Sequence, residues 1–305
     1  MKANNRRNFI KDLGILSAAA GLSSLIPFES LAYNKRDFFK ISLAEWSFHK
    51  ALFAKQMTNL EFPVKAKKEF GIDIVEYVSP FFNKKETDMS YLKELKTLTH
   101  NEGIQNHLIM IDGEGQLGDP DEVKRLKAVE NHYKWVDAAK FLGCKTIRVN
   151  AAGRGTAEEV KTAAVAGLGK LAEYGKDHKI NIIVENHGGY SSDGKWLADV
   201  MKQVHNPYCG TLPDFGNFRV SANEVYDKYQ GVTELVPYAK GISAKTYDFN
   251  EKGEETTIDY DRMFKIIKSA GWSGIVGIEY EGSVLPEEDG IRKTKALLDR
   301  ILKEI

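Results

Sequence analysis

Acidic side chains recur where short apolar runs end along this 305-residue chain. One run ends in Glu185-Asn186-His187, another in Glu279-Tyr280-Glu281, and a third at Asp214. Carboxylates that converge on one place repel each other unless a cation or shared protons neutralise them. If the runs meet in space, this repulsion is the physical case for a bound divalent cation.

Other polar and aromatic residues stand at or just after the ends of these and other runs, and His107 lies within the third run; they would contact a bound small molecule. These candidate binding residues are Trp46, Glu76, His107, Asn150, His187, Asn217 and Glu281. Lys245 lies inside a seventh run and needs a carboxylate partner if it is buried. Two interpretations stay open for Trp46, as a sugar-stacking ring or rim packing, and for His107, as a ligand or a core residue.

The apolar runs have the length and composition of β-strands, and stretches of helical period separate them. The predicted strands are 39–46, 72–78, 105–111, 145–150, 181–186, 209–214, 240–246 and 274–280. The stretch from Asp121 to Gly143 is typical of a helix that ends at a glycine. Eight strand–helix units predict an α/β fold, a single (β/α)8 TIM barrel over residues 38–305, with its active site at the carboxyl ends of the strands. An open doubly wound sheet is the alternative, but no G-x-G-x-x-G follows the first strand.

Strand alternation refines the position of the acidic residues. If Glu185 faces the barrel interior, so does His187, and an inward Glu279 takes Glu281 with it; on strand seven, Ser243 and Lys245 share one face. Oxygen ligands suit Mn²⁺ or Mg²⁺, and an added imidazole suits Mn²⁺, Co²⁺ or Zn²⁺.

Residues 1–32 resemble an export signal rather than the first helix of the domain. Arg6 and Arg7 precede an apolar stretch over 13–26, and small residues follow at 30–32. Paired arginines in this position resemble a twin-arginine signal, which predicts a periplasmic protein.

Residues 33–305 carry 39 basic and 41 acidic residues, a charge of −2 that argues against nucleic acid as a partner. We expect no membrane span in this mature chain.

The two cysteines, Cys144 and Cys209, are predicted to be free thiols. They enter strands two apart in the proposed barrel, roughly 10 Å from each other. A disulfide requires Cα atoms within about 7 Å.

Four segments resemble the xylose isomerase-like barrel family, also called sugar phosphate isomerases/epimerases: VENHGG (184–189), LPDFGNF (212–218), SAKTYD (243–248) and GIEYEG (277–282). The resemblance spans about residues 38–305. It implies one divalent ion (Mn, Mg, Co or Zn) bound by Glu185, Asp214 and Glu279. Two family histidines correspond to Ser243 and Asn217 here, so His107 or His187 would have to supply any imidazole.

The resemblance also implies a reaction on a small carbohydrate. Glu185 and Glu279 would act as base and acid on opposite faces of the substrate, moving a proton next to a carbonyl through an enediolate. Lys245 would stabilise the developing oxyanion. The alternatives are a lyase or hydratase acting on 3-keto-glycosides or related oxidised sugars, and a non-catalytic sugar-binding barrel. The sugar, the native metal and the oligomeric state stay open.

Overall fold

The structure is a computed structural model that describes residues 38–304, in which eight parallel strands alternate with helices. The barrel strands are β1 (Phe39–Ala44), β2 (Ile74–Val78), β3 (Gln105–Met110), β4 (Thr146–Val149), β5 (Asn181–Glu185), β6 (Cys209–Leu212), β7 (Ile242–Thr246) and β8 (Gly274–Tyr280). The outer helices are α1 (Phe62–Phe70), α2 (Met89–Asn101), α3 (Glu122–Leu142), α4 (Ala157–His178), α5 (Gly194–Val204), α6 (Lys228–Leu235), α7 (Tyr260–Ser269) and α8 (Glu287–Glu304).

Shorter elements occupy the loops. They are a helix over His49–Phe53, 3₁₀ turns over Glu45–Phe48, Ser79–Phe82, Gly189–Ser192 and Val236–Tyr238, and an antiparallel hairpin of Arg219–Ser221 with Glu224–Val225. The predicted (β/α)8 barrel and its eight strands are confirmed. The predicted strand over 209–214 ends earlier, at Leu212, next to Pro213, which has no backbone N–H to donate to a ladder.

The strands are ordered β6-β5-β4-β3-β2-β1-β8-β7, so the first strand pairs with the last. Phe39 lies opposite Gly274 at the start of that pairing. The remaining gap, between β6 and β7, is bridged at two isolated positions, Thr211 with Ala239 and Asp214 with Ser243. We call this gap the seam. It places the residues that follow β6 against the start of β7.

The helix ends follow local sequence signals. Thr156 and Glu159 form a reciprocal capping box at the start of α4. Asp121 caps the first turn of α3 through the backbone N–H groups of Val123 and Lys124. Gly143 ends α3 with φ +87°, a left-handed conformation that costs glycine little, as predicted for this helix.

Both faces of the barrel strands are covered. Ile182, Ile183 and Val184 on β5 have no exposed surface, because one face meets the helices and the other the barrel interior.

Cys144 and Cys209 are free thiols, as predicted. The predicted export signal at 1–32 lies outside the described residues. No helix within residues 38–304 is long and apolar enough to cross a membrane.

Candidate active site

Three carboxylates meet at the carboxyl ends of the strands. Glu185 is the last residue of β5, Asp214 follows β6 by two residues, and Glu279 lies near the end of β8. Each has one oxygen within 4.8 Å of an oxygen of the others, and all three side chains are buried. We call Glu185, Asp214 and Glu279 the carboxylate triad. Alternation on parallel strands directs all three toward the same interior space.

Lys245 on β7 lies among these oxygens. Its Nζ is 3.2 Å from Glu279 Oε1 and 3.7 Å from Asp214 Oδ2, and its side chain is 2% exposed. A third carboxylate, Glu281, lies 3.3 Å from the same nitrogen. Burial alone would lower the pKa of Lys245, but the surrounding carboxylates raise it well above its ordinary value. Lys245 is therefore a charged ammonium inside the barrel.

Ser243 joins two members of the triad. Its Oγ is 2.7 Å from Asp214 Oδ2 and 2.9 Å from Glu279 Oε2. A hydroxyl carries one proton, so a proton on a carboxyl group is needed for both contacts to be good hydrogen bonds. Burial raises the pKa of Asp214 to about 7, which favours a proton there.

Glu185 has a different set of partners. The Asn217 side-chain amide donates to its Oε1 at 2.8 Å, and the Arg148 Nε lies 2.8 Å from its Oε2. The Arg148 contact lacks the alignment of a hydrogen bond, so it is an ion pair that leaves both atoms without a hydrogen-bond partner. Asn217 also donates its backbone N–H to Asp214, which fixes the loop after β6 against the triad.

The two glutamates of the triad differ in acidity. Burial raises the pKa of Glu185 to about 7, although Arg148 opposes the shift. Burial would also raise the pKa of Glu279, but Lys245, Ser243 and Arg148 together lower it below its usual value. Glu279 is therefore ionised at neutral pH, while Glu185 exchanges its proton there.

Glu76 is a further buried carboxylate beside the triad. Glu76 on β2 is buried, accepts a hydrogen bond from Ser42 Oγ at 2.6 Å, and has its pKa raised by burial to about 7. A Cβ at Gly277 would lie 2.8 Å from one of its oxygens, so the absence of a side chain on β8 makes room for Glu76.

Trp46 and Glu281 link the first and last strands at the rim. The Trp46 Nε1 donates to Glu281 Oε1, while Glu281 Oε2 contacts Lys245. The Trp46 ring stacks on His49 and packs near Phe53 and Phe81, with ring centroids 5.0 to 6.2 Å away. We call Trp46, His49, Phe53 and Phe81 the aromatic rim. Phe53 is 60% exposed, which leaves apolar surface beside the site.

The structure thus gathers eight predicted residues around one centre, the triad with Lys245, Asn217, Glu281, Trp46 and Glu76. Asn150 is further out, donating to Asp112 at 2.8 Å. His187 follows β5 with part of its surface open to solvent, but burial and the nearby charges of Arg148 and Lys245 lower its pKa, so it lies beside the site. His107 is buried within β3, and burial lowers its pKa to about 4, so it is a neutral imidazole. Roles for these three residues stay predictions.

Sequence reasoning missed two residues. Arg148 is 4% exposed and pairs with both Glu185 and Asp112. The sequence did contain a signal for Arg148, because it is the single charged residue in the strand Thr146–Val149. A buried cation requires an anionic partner. The second missed residue is Asp112, an acidic residue two positions after the end of β3.

The triad fits one oxygen-ligated divalent ion, for which Mg²⁺ and Mn²⁺ are suitable in chemical type. Neither His107 nor His187 belongs to this group of ligand atoms. The histidine position of strand seven holds Ser243, whose hydroxyl contacts two triad carboxylates instead. Within residues 38–304, the clustered ligand atoms at this place are carboxylate oxygens.

Comparisons with known proteins agree with this architecture. A sequence profile for the xylose isomerase-like TIM barrel matches residues 64–301. A zinc-bound IolI protein superposes with a TM-score of 0.68 at 16% identity, over 87% of this chain and 98% of that chain. No curated protein matches in sequence.

Two sugar-related structures are also similar in fold. The 3-keto-D-glucoside 4-epimerase YcjR from E. coli, in its apo form, has a TM-score of 0.64 at 14% identity, over 86% of this chain and 99% of that chain. A D-tagatose 3-epimerase-like protein has a TM-score of 0.67 at 16% identity, over 87% and 97%. At these identities the likeness establishes the fold.

Proposed function

Because this chain belongs to the xylose isomerase-like TIM barrel family, we propose that it is a carbohydrate isomerase or epimerase that moves a proton next to a carbonyl group. The observation that carries the proposal is the pairing of Glu185 with Glu279. The two carboxylates lie in one buried cluster, yet their environments push their pKa values apart. Such a divergence is typical of an acid–base pair.

The roles follow from the contacts. Glu279 is ionised and is positioned by Ser243 and Lys245, so it is suited to remove a proton. Glu185 titrates near neutral pH and is oriented by Asn217 and Arg148, so it is suited to return one. The Lys245 ammonium supplies positive charge where an enediolate oxyanion would form.

A divalent metal, when bound by Glu185, Asp214 and Glu279, would polarise the carbonyl and acidify the adjacent C–H. Mn, Mg, Co and Zn all stay candidates. The buried position of the triad keeps bulk water from competing for the proton, whichever cation is present.

The aromatic rim supports a sugar as the substrate. Trp46 and Phe53 offer flat apolar surface, and Glu281 beside them accepts hydrogen bonds, which suits the mixed faces of a pyranose. The YcjR and D-tagatose epimerase-like neighbours act, by their names, on molecules of this class.

The test is exchange of substrate C–H protons with solvent. The purified protein, with and without added Mn²⁺, is incubated in D₂O with D-tagatose or a 3-keto-D-glucoside, and deuterium is followed by NMR. We expect incorporation next to the carbonyl, falling by about 10²-fold or more in Glu185→Gln and Glu279→Gln. Glu130→Gln, an exposed position on α3, is the matched control.

Product mass separates the alternatives. An unchanged mass identifies an isomerase or epimerase, a gain of water identifies a hydratase, and cleavage identifies a lyase. Binding of sugar without any C–H exchange would leave the non-catalytic barrel as the function. Full exchange in both folded glutamate variants would exclude the acid–base pair.

We also propose that the protein acts outside the cytoplasm, because residues 1–32 have the pattern of a twin-arginine signal. Cell fractionation of the full chain, compared with an Arg6→Lys, Arg7→Lys double variant, tests this. Equal periplasmic amounts of both would contradict it.

A further inference from the structure

Lys245 occupies the position at which a cation would neutralise the triad. Its Nζ contacts Glu279 and Asp214 at 3.2 and 3.7 Å. These are two of the three residues able to bind a metal ion. The buried site therefore already contains a positive charge of its own.

The oxygens of Asp214 and Glu279 are heavily used by the chain. Asp214 Oδ1 accepts from the backbone of Gly216 and Asn217, and Oδ2 lies 2.7 Å from Ser243 Oγ. Glu279 Oε2 faces Ser243 and Oε1 faces Lys245. An ion that uses these two carboxylates must share them with the ammonium, and two cations repel each other strongly where water is excluded.

Glu281 offers Lys245 another place. It lies 3.3 Å from Nζ, and its side chain is 27% exposed, whereas the triad is buried. Its second oxygen is bound by Trp46 Nε1, which holds the carboxylate at the rim. A lysine that left the triad would keep an anionic partner and gain access to water, so its displacement is chemically feasible.

We propose that Lys245 is an internal competitor of the divalent ion: its ammonium neutralises the triad when no metal is bound, and metal binding displaces it to Glu281. The site then has two charge-balanced states, one without metal and one with it. Ser243 contributes to this competition, because its hydroxyl is at the position of an imidazole ligand and is not a strong metal donor. Any role of this exchange in catalysis rests on the proposed function, but the metal-binding test needs no substrate.

The experiment measures Mn²⁺ affinity by isothermal titration and electron paramagnetic resonance on metal-stripped protein. Lys245→Met removes the competitor, and we expect Mn²⁺ to bind about tenfold or more tightly than in the wild type. Lys240→Met removes one charge just before β7, outside the triad, and is expected to leave the affinity unchanged. Equal or weaker binding in Lys245→Met would overturn the proposal.

Thermal unfolding provides the second measurement, because Lys245→Met leaves the carboxylates without their ammonium. We expect its midpoint to fall without metal and to recover when Mn²⁺ takes the place of the lysine, with a larger shift than in the wild type. A variant that stays unfolded, or that Mn²⁺ does not stabilise more than the wild type, would also overturn the proposal. Failure of C–H exchange in the wild type would instead contradict the proposed function and leave this inference standing.

Discussion

Arg148 on β4 and Glu185 on β5 form a buried ion pair, with Nε and Oε2 2.8 Å apart and both side chains at most 5% exposed. The pairing follows from register, because Arg148 lies opposite Ile183 and alternation then brings Glu185 to the same face two residues later. This ion pair positions the Glu185 side chain in the site.

Replacing Arg148 with Met should destabilise the protein in a pH-dependent way. Loss of one partner from a buried ion pair costs about 3–5 kcal/mol. Without Arg148 the pKa of Glu185 rises further, so protonation relieves the cost at low pH. We expect a large loss of unfolding free energy at pH 8 and a smaller one at pH 5.5, measured by urea denaturation.

The double variant Arg148→Met, Glu185→Gln is the control for this prediction, because it removes both charges of the pair. It should recover much of the stability lost at pH 8. A loss in Arg148→Met that is equal at both pH values would contradict the role assigned to Glu185.

Glu45 should give the protein a stability that decreases with pH. This side chain is fully buried, and within residues 38–304 its one hydrogen bond comes from the Val78 N–H, so burial raises its pKa well above 4.5. The folded state holds the proton more tightly than the unfolded state, so the stabilisation is present below the unfolded pKa and is lost as pH rises toward the folded pKa.

Glu45→Gln removes this titration. Relative to the wild type, the variant should gain stability between pH 5 and 8, by up to about 1.4 kcal/mol per pH unit. Urea unfolding at several pH values measures the difference, with the exposed Glu130→Gln as a reference. Wild-type and Glu45→Gln curves that run parallel would show that Glu45 is ionised in the fold.

Gly277→Ala should disturb the carboxylate beside the triad. Its new Cβ would lie 2.8 and 2.9 Å from the two oxygens of Glu76, which must then move away from Ser42. We expect a loss of about 1–3 kcal/mol, as for other overpacked interiors. Gly169→Ala on α4 is the matched control, since nothing lies within 4 Å of its Cβ position. Equal stability of the two variants in urea would refute the steric role of Gly277.

The fold and the triad were predictable because they depend on patterns along the chain. Apolar runs such as Ile182–Val184 mark buried parallel strands, and carboxyl ends of such strands share one edge. That rule places Glu185, Asp214 and Glu279 at one end of the barrel, and the family resemblance selects these three from the other polar residues there.

Other contacts were not predictable because they depend on side-chain conformation. Arg148 looked like one charged residue in an apolar strand, and nothing in the sequence selects Glu185 over Asp112 as its partner. The bond from Trp46 to Glu281 joins residues 235 positions apart and exists only once β1 lies beside β8. Likewise, Ser243 was recognised as a missing ligand, but its double contact with Asp214 and Glu279 required the structure.

The seam between β6 and β7 has a consequence for motion. The seam has two isolated bridges and separate backbone bonds, from Lys240 to Thr211, from Ser243 to Pro213 and from Phe215 to Ser243, whereas β1 and β8 pair along five consecutive residues. Short, interrupted pairing opens locally more readily than a long ladder, so we expect amide hydrogens at the seam to exchange faster than those of the β1–β8 ladder. Two of those bonds carry Ser243, next to Asp214. Local opening of the seam would therefore separate Ser243 from Asp214, and each closing would bring these two residues of the site together again.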